Sequence, residues 1–158
     1  MTHNETKFAP KIALYQPDIP QNTAAIIRLC ACLNTDLDII EPTGFNINDK
    51  RFKRVVMDYI GMSKIYRYED YNNFIKKNQK SRIILMTTKA KKSYLKFKYK
   101  KDDIILLGRE SAGVPKDLHL SIKNKLKVPI KRRARSLNVA VTAAIVSAEI
   151  IRQNNFDY

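Results

Sequence analysis

Asp103-Ile-Ile-Leu-Leu107-Gly108-Arg109-Glu110-Ser111-Ala112-Gly113-Val114-Pro115 decides how the chain is read. Its first part, Asp103–Leu107, is a continuous apolar run of the kind buried on both faces of a parallel sheet. Two of the chain's 4 glycines follow at once. Glycine reaches positive φ and lets a backbone approach a ligand closely. Parallel sheets take ligands at the carboxyl ends of their strands. The segment is therefore either a ligand turn or an ordinary strand-to-helix connection, with Pro115 starting the helix. It lacks the GK[ST] ending of a Walker A loop and the G-x-G-x-x-G spacing of a dinucleotide fingerprint.

Working outward, Arg82–Met86 (RIILM) is a second apolar run. Lys11–Tyr15 and Leu37–Ile40 read as strands stopped by Pro17 and Pro42, Lys64–Arg67 as a weaker one, and Leu126–Pro129 as a short one. Between them, Pro20-Gln-Asn22-Thr23 opens a helix with Asn22 or Thr23 as its N-cap and Ile26, Leu29, Cys30 and Leu33 on its core face. Asp49–Val56 reads as a short basic helix and Asp70–Lys77 as one capped by Asp70. Ser136–Arg152 is the longest, with Leu137, Val141, Ala144, Ala148 and Ile151 on one stripe. Short apolar strands alternating with helices predict an α/β fold with a mainly parallel sheet flanked by helices. A length of 158 residues predicts a single domain over residues 1–158, with 1–10 as a flexible N-terminal extension.

The formal net charge is +15, from 30 Lys and Arg against 15 Asp and Glu. Codon bias could supply many lysines, so clustering is the informative feature. Lys89–Lys101 holds seven cations, Lys123–Arg135 another seven, and Lys50, Arg51, Lys53 and Arg54 form a third group. Clusters of this kind favour a nucleic-acid partner over mere solubility. No cluster lies on a long amphipathic helix, so a membrane surface is the lesser rival. The longest uncharged apolar stretch, Leu137–Ala148, is far shorter than the roughly 20 residues of a membrane span. The N-terminus carries no secretory pattern, which leads us to expect a cytoplasmic protein.

Cys30 and Cys32 are two apart on a predicted helix and cannot form an ordinary disulfide. No His or further Cys completes a zinc pattern, so no metal is expected. No Ser-His-Asp set and no close carboxylate pair stands out; Asp102 and Asp103 point apart on a strand. The remaining polar candidates are Arg28, Ser136 and Asn138. Arg28 lies off the core stripe of its helix yet inside an apolar run, and is either functional or a snorkelling surface residue. Ser136 reads as the cap of the last helix. Asn138 lies one turn inside that helix beside an apolar face, where a buried amide needs a hydrogen-bond partner.

Three motifs now fall in order: Asn22-Thr-Ala-Ala-Ile-Ile-Arg28-Leu-Cys30-Ala, then Leu107–Pro115, then Val128-Pro-Ile130 with Arg135-Ser136-Leu137-Asn138-Val-Ala-Val141 running to Glu149. Together they resemble the SPOUT class of RNA 2′-O-ribose methyltransferases. Within it the chain is most similar to the short tRNA (cytidine(34)-2′-O)-methyltransferases, through Leu14–Thr23, Ile39–Phe45, Asp49-Lys50-Arg51, Asp58-Tyr59 and Thr87-Thr88-Lys89. The resemblance implies a C-terminal trefoil knot whose loops hold S-adenosylmethionine, and a homodimer that completes the active site across its interface. It places the cofactor at Met86, Gly108, Glu110, Val128 and Ser136. It gives Arg28, Ser136 and Asn138 to catalysis, and implies tRNA, through the anticodon region, as partner. Asn22, Arg28, Lys50, Arg51, Lys89, Arg132, Arg133 and Arg135 are the RNA-binding candidates. Ala24 and the Val-Ala-Val after Asn138 depart from the pattern, and the second of these leaves the choice of nucleotide open. A ribosomal RNA target, or a non-catalytic RNA-binding module on the same fold, are the alternatives.

Overall fold

The computed structural model describes residues 11–154; the expected extension 1–10 lies outside them. Seven parallel strands form one sheet: β1 (Lys11–Tyr15), β2 (Leu37–Ile40), β3 (Ile65–Tyr68), β4 (Ile83–Met86), β5 (Lys92–Ser93), β6 (Ile104–Leu107) and β7 (Asn124–Lys127). Their order is β3-β2-β1-β6-β4-β7-β5. Parallel neighbours need crossovers. These are supplied mainly by α1 (Pro20–Cys32), α2 (Lys50–Val56), α3 (Tyr71–Lys77) and α4 (Lys116–Ser121), and α5 (Val139–Gln153) closes the chain.

Side chains alternate across the strands and build two cores. Ile12, Leu14, Leu37, Ile39, Ile105 and Leu107 meet α1, α2 and α5 through Ile26, Phe52, Val146 and Ile150. Ala13, Tyr15, Ile40, Ile104 and Leu106 meet α3 and α4 through Phe74 and Leu118. Every residue of β2 and β6 is buried, as strands covered on both faces require, Asp38 of β2 included. The charges among them are compensated. Asp38, fully buried on β2, meets the Lys11 ammonium at 2.8 Å. Asp103 accepts two 2.7 Å bonds from the Arg82 guanidinium and one from the Lys100 amide. A buried carboxylate requires such partners.

Three local readings change. The first helix starts at Pro20 with Ile19 as N-cap and no side-chain cap. Proline at the first position is already set for the helix, so Thr23 is buried and Asn22 is free for other contacts. The last helix starts at Val139, not Ser136. Asn138 is its N-cap, its Oδ1 accepting from the Ala140 and Val141 amides at 2.8 and 3.3 Å. The buried face of α5 is Ala143, Val146, Ser147 and Ile150, whereas Val141, Ala144 and Ala148 are exposed. A helix apolar nearly all round gives periodicity two equivalent faces, and packing chose the other. β5, with two residues, was too short to carry a pattern. Cys30 is buried, Cys32 exposed, and both are free thiols.

Candidate functional site

The carboxyl ends of β4, β6 and β7 frame a cavity of about 610 Å³. Three segments wall it: the end of β4 with Thr87–Lys89, the turn after β6, and the chain from Val128 into α5. The volume lies in the range of small-molecule sites. The lining combines apolar Leu85, Met86, Leu107, Val128 and Ile130 with polar Asn22, Glu110, Ser136 and Asn138.

The turn after β6 is closed on itself. The Arg109 amide donates to the Gly113 carbonyl at 3.1 Å, and the Gly113 amide returns a bond to the Arg109 carbonyl at 2.8 Å. This brings Gly113 so near that a Cβ on Gly108 would lie 2.7 Å from its Cα and carbonyl carbon. Gly108 is therefore dictated by the turn's own closure. Gly113 has φ +66°, and a Cβ there would meet open space.

A polar chain ties this turn to both long helices. The Glu110 carboxylate accepts from the Asp18 amide at 3.0 Å and from Asn22 Nδ2 at 3.3 Å. The Glu110 amide donates to Asp18 Oδ1 at 3.1 Å, and the Ser111 hydroxyl bonds the same carboxylate. Asn22 Oδ1 then accepts from Asn138 Nδ2 at 2.8 Å. Asn138 thus uses one end of its amide on the N-terminus of α5 and the other on α1. Gly44 makes room, since a Cβ there would sit 2.5 Å from Asp18 Cβ. Two carboxyl groups therefore meet, which the sequence did not reveal. Burial and the facing Asp18 carboxyl push Glu110 above the usual carboxylate range, while Glu110 and Ser111 hold Asp18 below it.

All five residues expected at the cofactor line the cavity: Met86, Gly108, Glu110, Val128 and Ser136. Asn22, Lys89, Arg135 and Asn138 join them. Arg28 does not. It is exposed, with its guanidinium 5.2 Å from the centre of the Tyr59 ring. Six residues along α1 from Asn22, it stands about 9 Å further up the helix. Lys50, Arg51, Arg132 and Arg133 are exposed and outside the lining. Residues missed in the sequence are Asp18, Thr142 and His119. Asp18 lies inside Pro17-Asp-Ile-Pro20, where the flanking prolines were the available signal. His119 also lines the cavity; burial, then Lys125 and Lys89, lower its pKa. Among the described residues no group of three or more His, Cys, Asp or Glu could hold a metal ion. None of their helices is long and apolar enough to cross a membrane.

A seven-stranded parallel sheet with a cavity across the ends of β4, β6 and β7 is the fold of the SPOUT methyltransferases. Solved SpoU methyltransferases such as AviRb from Streptomyces viridochromogenes share it at a TM-score of 0.83 and 17% identity, over 94% of this chain and 60% of that one. The chain belongs to the SpoU rRNA Methylase family, whose family model matches residues 9–148. It is 45% identical over 144 residues to a tRNA (cytidine(34)-2′-O)-methyltransferase of Beijerinckia indica, covering 90% of each chain. It is 35% identical to the enzyme of that name from Escherichia coli K12, covering 90% of this chain and 92% of the other. A structure solved for insights into 2-OH methylation of C/U34 on tRNA superposes with a TM-score of 0.86 at 29% identity, over 91% of this chain and 95% of that one.

Proposed function

We propose that the chain is an S-adenosylmethionine-dependent methyltransferase acting on the 2′-hydroxyl of the wobble nucleotide of tRNA. The observation that carries the reading is the cavity at the ends of β4, β6 and β7, in a chain matching wobble-ribose methyltransferases along 90% of its length. The residues present fit the cofactor. Met86, Leu107, Val128 and Ile130 offer an apolar slot for an adenosine. The closed turn Gly108–Gly113 offers backbone, and Ser136 and Thr87 offer hydroxyls. Bound there, the cofactor supplies an electrophilic methyl group on a sulfonium.

The chain's own residues then have two tasks. One is to hold the ribose in line with that methyl, since positioning supplies much of the acceleration when no covalent intermediate is needed. Asn138, braced by Asn22 and the N-terminus of α5, is placed for it. The other is to stabilise negative charge developing on the 2′-oxygen as its proton passes to solvent water. A guanidinium stays protonated, so Arg28 acts as phosphate anchor and electrostatic stabiliser rather than as a base.

Arg28 stands outside its own cavity, which supports a homodimer in which a second copy supplies it. The exposed stripe Val141, Ala144 and Ala148 on α5, with Leu137 just before it, supports the same arrangement: apolar, and small enough at two positions for close helix packing. The single domain, the trefoil knot of the C-terminal segment and a cytoplasmic setting complete this reading. The single domain is supported by a family match running over residues 9–148, the knot by that family and by Val128, Ile130 and Arg135–Val139 lining the cavity, and the setting by bacterial relatives that modify tRNA.

The test is an anticodon stem-loop made twice, once natural and once with a 2′-deoxy nucleotide at the wobble position. Radiolabelled methyl should enter the first and not the second. Equal labelling of both would refute the assigned atom, and labelling of ribosomal RNA alone would move the reading to a ribosomal target.

A further inference from the structure

The net charge of +15 has an uneven origin. Residues 1–70 hold nine Lys and Arg and nine Asp and Glu, and so contribute nothing. Residues 71–101 and 118–148 hold eighteen Lys and Arg and not one Asp or Glu. Codon bias alone would add lysines to both parts of the chain and would not remove the acids from one. The strand order then brings the two acid-free segments together. β7 is hydrogen-bonded between β4 and β5, with Leu85 opposite Lys125, and Lys92 opposite Leu126. β5 is the outer strand of the sheet.

The result is one cationic edge. Lys91, Lys92, Lys96 and Lys98 are exposed on or beside β5, and Lys131, Arg132, Arg133 and Arg135 on the chain leaving β7. None of the ion pairs between described residues involves any of these eight. The edge is continuous with the cavity, because Lys89 and Arg135 line it.

We propose that this β4–β7–β5 edge is a docking surface for the phosphate backbone of an RNA stem, engaged while a nucleotide of the same molecule occupies the cavity. The inference rests on the functional reading above and extends it to a surface. A protein partner would need a desolvated apolar centre, and between Lys91 and Lys98 and between Lys131 and Arg135 the edge exposes only Leu95 among large apolar side chains. Lysines without neighbouring acids are point charges suited to phosphates, which fix position but carry no sequence information. The edge therefore grips the stem without regard to its sequence, and selection is left to the cavity.

The test compares two variants that lose the same charge. In one, Lys91, Lys96 and Lys98 on the edge become Gln. In the other, Lys76, Lys77 and Lys80, exposed on α3 and the turn after it, become Gln. Binding of unmodified tRNA transcript is measured by fluorescence anisotropy from low to physiological salt, with S-adenosylmethionine affinity measured without RNA as a folding check. Each phosphate contact adds about 0.7–0.9 to the slope of log affinity against log salt. The edge variant should lose about 2 from that slope and bind roughly tenfold more weakly at physiological salt, with cofactor affinity unchanged. The α3 variant should keep the wild-type slope. Equal losses in both variants, or none in the edge variant, would overturn the proposal. No turnover enters this measurement, so a wild-type protein that binds through the edge yet methylates no tRNA would count against the functional reading and not against the surface.

Discussion

Arg28→Ala will lower methyl transfer by about 10²- to 10³-fold, the usual loss when one donor to a developing oxyanion is removed. Affinity for S-adenosylmethionine will stay within about twofold, because Arg28 lines no part of its own cavity. The guanidinium rests over the Tyr59 ring on the exposed side of α1, and no buried group depends on it for a partner. The fold should therefore survive the substitution. The same geometry gives a sharper outcome. If a second copy supplies Arg28, mixing Arg28→Ala protein with Asn138→Ala protein restores activity, because a mixed dimer contains one site with both residues intact. Single-turnover assays with calorimetric binding of the cofactor measure both effects. Near-normal turnover by Arg28→Ala would remove its assigned role, and failure of the mixture to regain activity would place it in its own subunit's site.

Gly108→Ala will have the second large effect, by a different route. The added Cβ would meet Gly113 Cα and carbonyl carbon at 2.7 Å, both backbone atoms that no side-chain rotation can move. The turn from Gly108 to Gly113 must open, losing its paired amide–carbonyl bonds. Overpacking of this kind costs about 1–3 kcal/mol. Since the turn is one wall of the cavity, cofactor affinity should fall by about 100-fold. Gly113→Ala is the comparator. Its φ of +66° charges a non-glycine residue about 1–2 kcal/mol, but its Cβ would meet nothing within 4 Å. Thermal unfolding and cofactor titration should rank Gly108→Ala well below Gly113→Ala in affinity. The reverse ranking would show that left-handed backbone, not closure of the turn, controls the site.

Much of this architecture was legible in the sequence because the sheet is buried on both faces. The IILL and IILM stretches of β6 and β4 are apolar without interruption, LDII is apolar but for Asp38, and each became a strand within one residue of its reading. Helices were harder where composition is uniform. Ser136–Arg152 contains so few polar residues that two stripes satisfy helical spacing equally, and the one through Leu137, Val141, Ala144 and Ala148 is exposed. The difference matters, since that stripe is now open to a second copy. Caps were misread for a related reason. Asn22 and Asn138 are both good caps by type, but Pro20 had already set the start of α1, so one residue caps and the other reaches across to it.

The site was legible in part. Its cofactor candidates came from motif resemblance, and all five line one cavity. Asp18 was missed because its partner, Glu110, lies 92 residues away and only the β1–β6 pairing brings the two turns together. Spacing along a chain carries no record of that. The cationic edge was half legible. Both lysine clusters were visible, but only the insertion of β7 between β4 and β5 makes them one surface.

The most direct measurement is nucleoside mass spectrometry of tRNA transcripts incubated with the purified protein and S-adenosylmethionine, with the product mapped by nuclease fragments. The account predicts one 2′-O-methylated nucleoside, at the wobble position of the anticodon. Methylation at any other position, or on a base rather than a ribose, would contradict it.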